Sequence, residues 1–395
     1  MKKNLMLVVA VICIAIISCQ RETVIDPFQE EQEFVTTTTG DIIPGKYVVM
    51  LKGDLNNFKS AYKDSEARRA AVIDEASALI SSASLKSRQL DNVYSSAVRG
   101  FSLSMNDEEA ASLRLQPGVA GVWPDRMFIL KKPGTDPTVP PLETIPYGIA
   151  RVGYSNYTGS HVAWIIDTGI DLDHPDLNVD VARSTTFVSR TTTGDDDNGH
   201  GSHCAGIVGA IDNEIGVVGV ASGAPVVAVK VLDKRGSGAI STIIAGVDYV
   251  AAMGSAGDAA NLSLGGGIYE PLDIAVQNLG SGGIFVALAA GNESDNANNH
   301  SPARANGANI YTVSAMDIND YWAYFSNYGN PPVDYCAPGV SNLSTYKSGA
   351  YATMSGTSMA APHVCGLLLA TNGNIKTDGF VNGDPDGNPD PIAHK

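Results

Sequence analysis

The feature that most constrains the fold is a series of short, almost continuously apolar segments that alternate with helical patterns. The apolar segments lie at 162–166, 226–231, 260–264 and 283–289, and helical spacing occurs at about 200–210, 237–253 and 271–280. Strands that are apolar on both sides and joined through helices form a parallel sheet covered by helices on both faces. The sequence therefore predicts a three-layer α/β/α domain with a mostly parallel sheet.

Two polar residues follow these predicted strands. Asp167 directly follows the segment Trp164–Ile166, and Asn292 comes shortly after the segment 283–289. Taken alone, each is most simply a turn residue. However, functional groups in parallel sheets gather at the carboxyl ends of the strands, so an acid and an amide are expected at the same edge.

A histidine and a serine stand at predicted helix starts. His200 lies between Gly199 and Gly201, and the missing side chains leave room around its ring. Ser358 precedes Pro362, and proline is tolerated only within about the first turn of a helix, so a helix should begin at or near Ser358. In local terms Ser358 is an N-cap residue.

Two other interpretations of these residues fail on spacing. A zinc site built on His200 and His203 has no third ligand at a suitable position. An α/β-hydrolase needs glycine where Ala360 stands and a catalytic histidine after the serine, but His363 is only five residues away and His394 lies in an acidic tail.

The order Asp, His, Asn, Ser resembles that of the subtilisin-like serine proteases. The resemblance covers about residues 145–372 and rests on Asn-Gly-His-Gly-Ser-His-Cys-Ala-Gly around His200 and Gly-Thr-Ser-Met-Ala-Ala-Pro-His around Ser358. Cys204 points to the proteinase K-like branch. Ser202 stands where the family usually has threonine, which preserves the hydroxyl.

The resemblance implies a role for each residue. Ser358 would attack the peptide carbonyl, His200 would act as base and then acid, and Asp167 would orient His200. Asn292 and the Ser358 amide would bind the oxyanion. The chain is then an endopeptidase that acts on polypeptides and needs no cofactor for catalysis. A catalytically silent peptide-binding lipoprotein is the alternative, and the presence of all four residues disfavours it.

The resemblance also assigns substrate and calcium positions. Ser263, Leu264 and Gly265 would pair with an extended peptide, and Ala289, Ala290 and Gly291 would line a pocket for an apolar or aromatic side chain. A calcium ion would be bound by Asp334 and the carbonyls of Ala308 and Ile310, the alternative being that Asp334 is an ordinary surface residue.

The N-terminal part predicts a separate small α+β domain over residues 42–130. A strand at Lys46–Leu51, helical spacing over 56–86, strands between 93 and 103, a short helix through Leu113 and a strand from Val119 to Ile129 interrupted at Pro124 give a β-α-β-β-α-β order. This is the ferredoxin-like arrangement. The region resembles the family's inhibitory propeptide, so the chain's own propeptide is an expected intramolecular inhibitor. Residues 131–141 are then the linker and maturation region, and 142–395 the catalytic domain.

The first 18 residues are typical of an export signal. The apolar run Leu5–Ile17 spans 13 residues, too short to cross a membrane comfortably. It ends in Ile-Ser-Cys, which resembles a bacterial lipobox with Cys19 as the lipidated residue, the alternative being a plain secretory signal. Residues 19–41 would be a tether. We expect an exported precursor at the cell envelope whose only membrane contact is this anchor, with the catalytic domain released on maturation.

Charge and cysteines limit the remaining possibilities. The net charge is −16, and residues 138–395 carry 10 Lys and Arg against 25 Asp and Glu, so nucleic acid is an unsuitable partner. We expect a monomer. Cys204, Cys336 and Cys365 allow at most one intramolecular disulfide. The Gly-, Pro- and Asp-rich segment 371–395 replaces the family's closing helix and is a tether, a calcium-binding loop or a packed extension.

Overall fold

The computed structural model describes residues 39–85, 88–130, 138 and 142–395. The signal peptide, Cys19 and almost all of the tether therefore lie outside the described residues, as does most of the linker. Among the described residues, no helix combines the length and apolar character needed to cross a membrane.

The N-terminal domain is a four-stranded antiparallel sheet covered by helices. Its elements are β1 (Ile42–Leu51), α1 (Leu55–Ala61), α2 (Ser65–Ser82), β2 (Leu90–Tyr94), β3 (Gly100–Ser104), α3 (Asp107–Arg114) and β4 (Val119–Ile129). The strand order β4-β1-β3-β2 confirms the predicted β-α-β-β-α-β arrangement. Helix α3 begins with a capping box between Asn106 and Glu109, which satisfies two backbone amides reciprocally.

The predicted interruption of the last strand at Pro124 is wrong. Strand β4 runs through Pro124, which stands opposite Tyr47 of β1. Proline is tolerated there because the register between β1 and β4 shifts next to this pair and the other side of β4 is paired only from Met127 onward.

The larger domain is built around a nine-stranded sheet. Its elements are α4 (Tyr147–Val152), β5 (Ser155–Asn156), β6 (Ala163–Asp167), β7 (Thr185–Thr186), α5 (His200–Gly209), β8 (Ala221–Ser222), β9 (Val226–Lys230), β10 (Ser237–Ala239), α6 (Ile240–Met253), β11 (Ala259–Leu262), β12 (Gly266–Gly267), α7 (Glu270–Ser281), β13 (Phe285–Ala289), β14 (His300–Ser301), β15 (Ile310–Met316), β16 (Val333–Pro338), β17 (Asn342–Tyr346), β18 (Ala350–Met354), α8 (Thr357–Thr371), β19 (Lys376–Phe380) and β20 (Pro391–His394). The sheet order is β19-β20-β16-β15-β13-β11-β6-β9-β7, and all its pairings are parallel except β19 with β20.

Alternate side chains of the central strands enter two separate cores. On β6, Ala163 and Ile165 pack in the cluster that includes α5 and α8, whereas Trp164 and Ile166 pack with α6 and α7. Side chains of a strand point to opposite faces in turn, so each face of this sheet has its own helical layer. The predicted three-layer architecture is confirmed.

The C-terminal segment is a packed extension. Strand β20 pairs with β16 through Ile392 opposite Cys336, and β19 adds an antiparallel edge. The final Lys395 donates its backbone amide to the Val152 carbonyl at 2.9 Å. Of the three alternatives left open for residues 371–395, the strand pairing is that of a packed extension of the sheet.

Candidate active site

An acid and a histidine meet at the carboxyl edge of the sheet. Asp167 ends β6 and His200 begins α5, and the His200 Nδ1 atom lies 2.8 Å and 2.9 Å from the two Asp167 carboxylate oxygens. Both side chains are buried. Burial by itself lowers the pKa of His200, but the nearby Asp167 carboxylate outweighs it, so the pKa is raised above its ordinary value.

The glycines around His200 are required by neighbouring groups. A Cβ atom on Gly201 would lie 2.0 Å from the Gly169 carbonyl oxygen, and one on Gly199 would lie 2.1 Å from the Tyr346 ring, where φ is also +112°. These glycines therefore let the start of α5 approach the end of β6. Backbone and aromatic neighbours therefore require these glycines, in addition to the predicted need for space around the histidine ring.

Ser358 is the second residue of α8, two positions after the N-cap. Gly356 is the cap residue and the helix starts at Thr357, so the prediction that Ser358 is the N-cap is wrong. The Ser358 hydroxyl donates to the Ser263 carbonyl at 3.1 Å, and the residue is 8% exposed.

Pro362 lies inside α8 and frees the Ser358 carbonyl from the helical ladder. Without an N–H, Pro362 cannot donate to the residue four positions earlier. The Ser358 carbonyl instead accepts from the Ser263 hydroxyl at 2.8 Å and from the Cys204 thiol at 3.4 Å. The proline therefore allows the serine turn to be tied to both α5 and the segment after β11.

Asn292 is oriented by the same helix start. Its side-chain Oδ1 accepts from the Thr357 amide at 2.8 Å and the Thr357 hydroxyl at 3.1 Å. Because Oδ1 is bound to Thr357, the Nδ2 group of Asn292 lies on the side of the amide away from Thr357. Asn292 and Ser358 line the same cleft.

This cleft, of about 460 Å³, contains most of the predicted substrate residues. Its catalytic-domain lining consists of Ser263, Leu264, Gly265, Gly266, Gly267, Ala289, Gly291, Asn292, Glu293, His300, Thr357 and Ser358. Ala290 is different: it is fully buried in a small cluster with Ala297, Ala303 and Val333. The lining residues Glu293 and His300 were not identified from the sequence, because a glutamate after a strand and a distant histidine carry no local signal.

The N-terminal domain reaches the same cleft. Phe128, Ile129 and Leu130 contribute to the lining. The end of β4 pairs antiparallel with β10, with Ile129 opposite Ser237, and the Leu130 amide continues to the Gly236 carbonyl at 2.8 Å. The end of β4 therefore pairs with a strand of the catalytic domain, as an extended bound peptide would.

A buried carboxylate of the catalytic domain also binds the N-terminal domain. Asp248 of α6 accepts from the backbone amides of Ser95, Ser96 and Ala97 at 2.6–3.1 Å. At the start of the same helix, Asp125 of the N-terminal domain accepts from the Ser241 amide at 3.0 Å, which caps α6 from another domain.

His203 and the cysteines have structural environments. His203 Nε2 bridges the carbonyls of Asn342 and Ala352 at 3.1 Å and 3.0 Å, and burial lowers its pKa to about 3. Backbone carbonyls therefore occupy the Nε2 atom of His203. Cys204, Cys336 and Cys365 are buried free thiols, and burial raises the pKa of each.

Asp334 lies where the register between β15 and β16 shifts. Its carboxylate accepts from the Thr312 amide at 2.9 Å, and burial raises its pKa to about 6. Ile310 begins β15, two residues before Thr312, and Ala308 precedes that strand.

A buried Asp–His pair at the sheet edge, with a serine and an oriented amide that line one cleft, is the set of groups expected of a serine hydrolase with a three-layer α/β fold. Residues 159–374 match the subtilase family model, and residues 46–131 match the model of the peptidase inhibitor I9. The chain belongs to the subtilase family of serine proteases and carries an inhibitor-type propeptide.

The relatives described here are named as proteases. The chain is 36% identical over 335 residues to an alkaline serine protease of Corniculantispora psalliotae, covering 82% of this chain and 79% of the relative. It is 34% identical over 344 residues to Proteinase R of Parengyodontium album, covering 83% and 79%. The crystal structure of a cold adapted subtilisin-like serine proteinase matches with a TM-score of 0.56 and 34% identity, covering 63% of this chain and 97% of that one. The predicted proteinase K-like resemblance is confirmed.

Proposed function

We propose that Ser358, His200, Asp167 and Asn292 carry out peptide-bond hydrolysis in this subtilase. The main support is the buried contact of His200 Nδ1 with both Asp167 oxygens, because it leaves Nε2 as the atom that can exchange a proton with a hydroxyl. The Ser358 hydroxyl now donates to the Ser263 carbonyl, so it must exchange this acceptor for His200 when it attacks.

The proposed reaction has two halves. The Ser358 oxygen attacks the peptide carbonyl while its proton passes to His200, and the carbonyl oxygen becomes an anion held by Asn292 and the Ser358 amide. His200 then protonates the leaving amine, and the C–N bond breaks to give an acyl-enzyme. Water then attacks the ester carbonyl while His200 takes its proton, and His200 gives this proton to the Ser358 oxygen as the bond between that oxygen and the acyl carbon breaks.

The proposed nucleophile can be tested with a fluorophosphonate probe. We expect the full chain to be labelled and Ser358→Ala to be unlabelled. Ser355→Ala is the matched control, because Ser355 is an exposed serine three residues earlier whose oxygen accepts from the Ser341 amide. Equal labelling of the parent and Ser358→Ala would overturn the assignment.

We propose that substrates bind as extended chains along Ser263, Leu264 and Gly265. The substrate side chain just before the scissile bond would then lie against Ala289 and Gly291. The support is that all five line the cleft entered by the end of β4. The small residues leave room for an apolar or aromatic side chain. Mass spectrometry of a digested peptide library would measure this preference, and cleavage mainly after acidic residues would contradict it.

We propose that the domain over residues 42–130 inhibits the enzyme until the chain is cut within 131–141. Pairing of β4 with β10 and the lining residues 128–130 support occlusion of the cleft. The active chain should be cleaved in this region and Ser358→Ala should remain whole. Cleavage of both at the same rate would show that another protease performs the maturation.

We propose that Cys19 anchors the precursor through a lipid. Its support is the Ile-Ser-Cys sequence after a short apolar run. Because the anchor lies on the propeptide side of 131–141, maturation would separate it from the catalytic domain. A radioactive fatty acid should label the precursor. It should label neither the Cys19→Ala precursor nor the mature catalytic fragment. A lipid-labelled mature fragment would refute the release.

We propose that Asp334 binds a structural Ca²⁺ with the carbonyls of Ala308 and Ile310. The raised pKa of Asp334 supports this, since a cation would stabilise the half-buried carboxylate. Chelation should lower the melting temperature of the parent more than that of Asp334→Asn. Equal effects of chelation on both proteins would contradict the site.

A further inference from the structure

The loop between β19 and β20 has regularly spaced oxygen ligands. Every second residue is an acid or an amide: Asp384, Asp386, Asn388 and Asp390. This spacing is found at the start of EF-hand calcium loops, although the glycine that follows there is replaced by Pro389. The spacing alone therefore identifies no site.

Asp390 provides a separate observation. Its side chain is 1% exposed, and one oxygen, Oδ2, accepts from the Ser314 hydroxyl. The other oxygen, Oδ1, is buried without a hydrogen-bond partner among the described residues. An interior carboxylate oxygen without a partner is costly, so a further electropositive group is expected there.

Asn330 presents a second unsatisfied oxygen at the same place. Its Nδ2 donates to the Asn388 carbonyl at 3.2 Å, whereas its Oδ1 is buried and lacks a partner within residues 142–395. The Asn330 side chain lies close enough to the Asp390 carboxylate to lower its pKa, although Asp390 Oδ1 and Asn330 Oδ1 both lack a hydrogen-bond partner among the described residues. A carboxylate oxygen and an amide oxygen are both acceptors, so they cannot satisfy each other.

The surrounding charge is negative. The Asp384 carboxylate lies 3.3 Å from the Asp390 amide, and Asp386 is adjacent. Among the ion pairs of the described part of the chain, none includes Asp384, Asp386 or Asp390. Burial first, and mutual repulsion second, raise the pKa of Asp390 to about 7 and that of Asp384 to about 6.

We propose that Asp384, Asp386 and Asp390, together with Asn330 Oδ1, bind one Ca²⁺. Hard oxygen ligands and a surplus of negative charge are what this ion selects. The three carboxylates do not all lie within 4.8 Å of one another, and Asp386 is exposed, so its side chain is the one that moves inward. The ion would join the C-terminal loop to the segment before β16, and neither Asp334 nor a catalytic residue is among its ligands.

Calorimetric titration of Ca²⁺ into the full chain carrying Ser358→Ala tests the site without autolysis. Asp386→Asn should bind one equivalent fewer than the parent, or bind that equivalent at least tenfold more weakly. Glu214→Gln, which neutralises another exposed carboxylate, should bind like the parent. Asp334→Asn should affect a different equivalent, so the double variant should show both losses.

Thermal melting separates a folding defect from a binding defect. In the presence of chelator, Asp386→Asn should have the same melting temperature as the parent. When Ca²⁺ is added, its melting temperature should rise less than that of the parent. Identical stoichiometry and affinity in the parent and Asp386→Asn would overturn the proposal. That result is also expected if a proton on Asp390, donated to Asn330 Oδ1, satisfies the two oxygens.

Discussion

Replacement of Asp248 should release the propeptide from the catalytic domain. The Asp248 carboxylate, which is 7% exposed, accepts three amides of the N-terminal domain at 2.6–3.1 Å. Asp248→Ala leaves these buried donors, from Ser95, Ser96 and Ala97, without their acceptor. A hydrogen bond to a charged group contributes about 1.5–3 kcal/mol net, and bonds that share one carboxylate are not additive.

We therefore expect a loss of about 3–4 kcal/mol of interdomain binding, or about 10²- to 10³-fold in the dissociation constant of the cleaved propeptide. The assay compares two time courses in one sample, namely chain cleavage on a gel and the appearance of peptide-hydrolysing activity. In the parent, activity should lag behind cleavage. In Asp248→Ala the lag should nearly disappear, and Asp248→Asn, which keeps one acceptor oxygen, should be intermediate.

A folding defect can be distinguished from faster release. Urea unfolding of the uncleaved Ser358→Ala chain should show a destabilisation of the same 3–4 kcal/mol when Asp248→Ala is added, with α6 still helical by circular dichroism. An unchanged lag in a normally folded and cleaved variant would refute the assignment of Asp248 as an interdomain anchor.

Three further predictions concern catalysis and the fold around it. His200 must be neutral to accept the Ser358 proton and its pKa is raised by Asp167, so kcat/KM should fall with decreasing pH at a higher pH than an ordinary histidine would give. Asp167→Asn should reduce kcat about 10⁴-fold, as in other Ser-His-Asp proteases, and move this acid limb of the pH profile to lower pH. An unmoved acid limb would contradict the pairing. Asn292→Ala should lower kcat about 10²- to 10³-fold with little change in KM, since removal of such a donor in a subtilisin lowers kcat by this factor. A change confined to KM in steady-state assays would argue against an oxyanion role. Gly201→Ala should prevent α5 from approaching β6, because its Cβ would lie 2.0 Å from a carbonyl oxygen; a melting temperature equal to the parent's would show that the contact can relax.

The site could be predicted from the sequence because its signals are local. Asp167 and Asn292 follow recognisable apolar strands, and parallel strands bring their carboxyl ends to one edge. His200 and Ser358 stand at helix starts marked by glycine and proline, and the long motifs around them identified the family. The predicted N-cap role of Ser358 is wrong by two positions. Pro362 is tolerated deeper in α8 because side chains from two other segments satisfy the carbonyl that it leaves without a helical donor.

Contacts between distant segments were decided only by the tertiary structure. No pattern within α6 indicates that Asp248 binds amides some 150 positions earlier in the chain, because any exposed helical acid has the same local sequence. Likewise, Ala290 could not be distinguished from its lining neighbours Ala289 and Gly291, since burial depends on what packs behind the strand end. The acidic C-terminal segment was compatible with a tether, a loop or a packed extension. Its pairing with β16 and the burial of Asp390 beside Asn330 settled that it packs, because strand pairing and burial depend on partners that are remote in sequence.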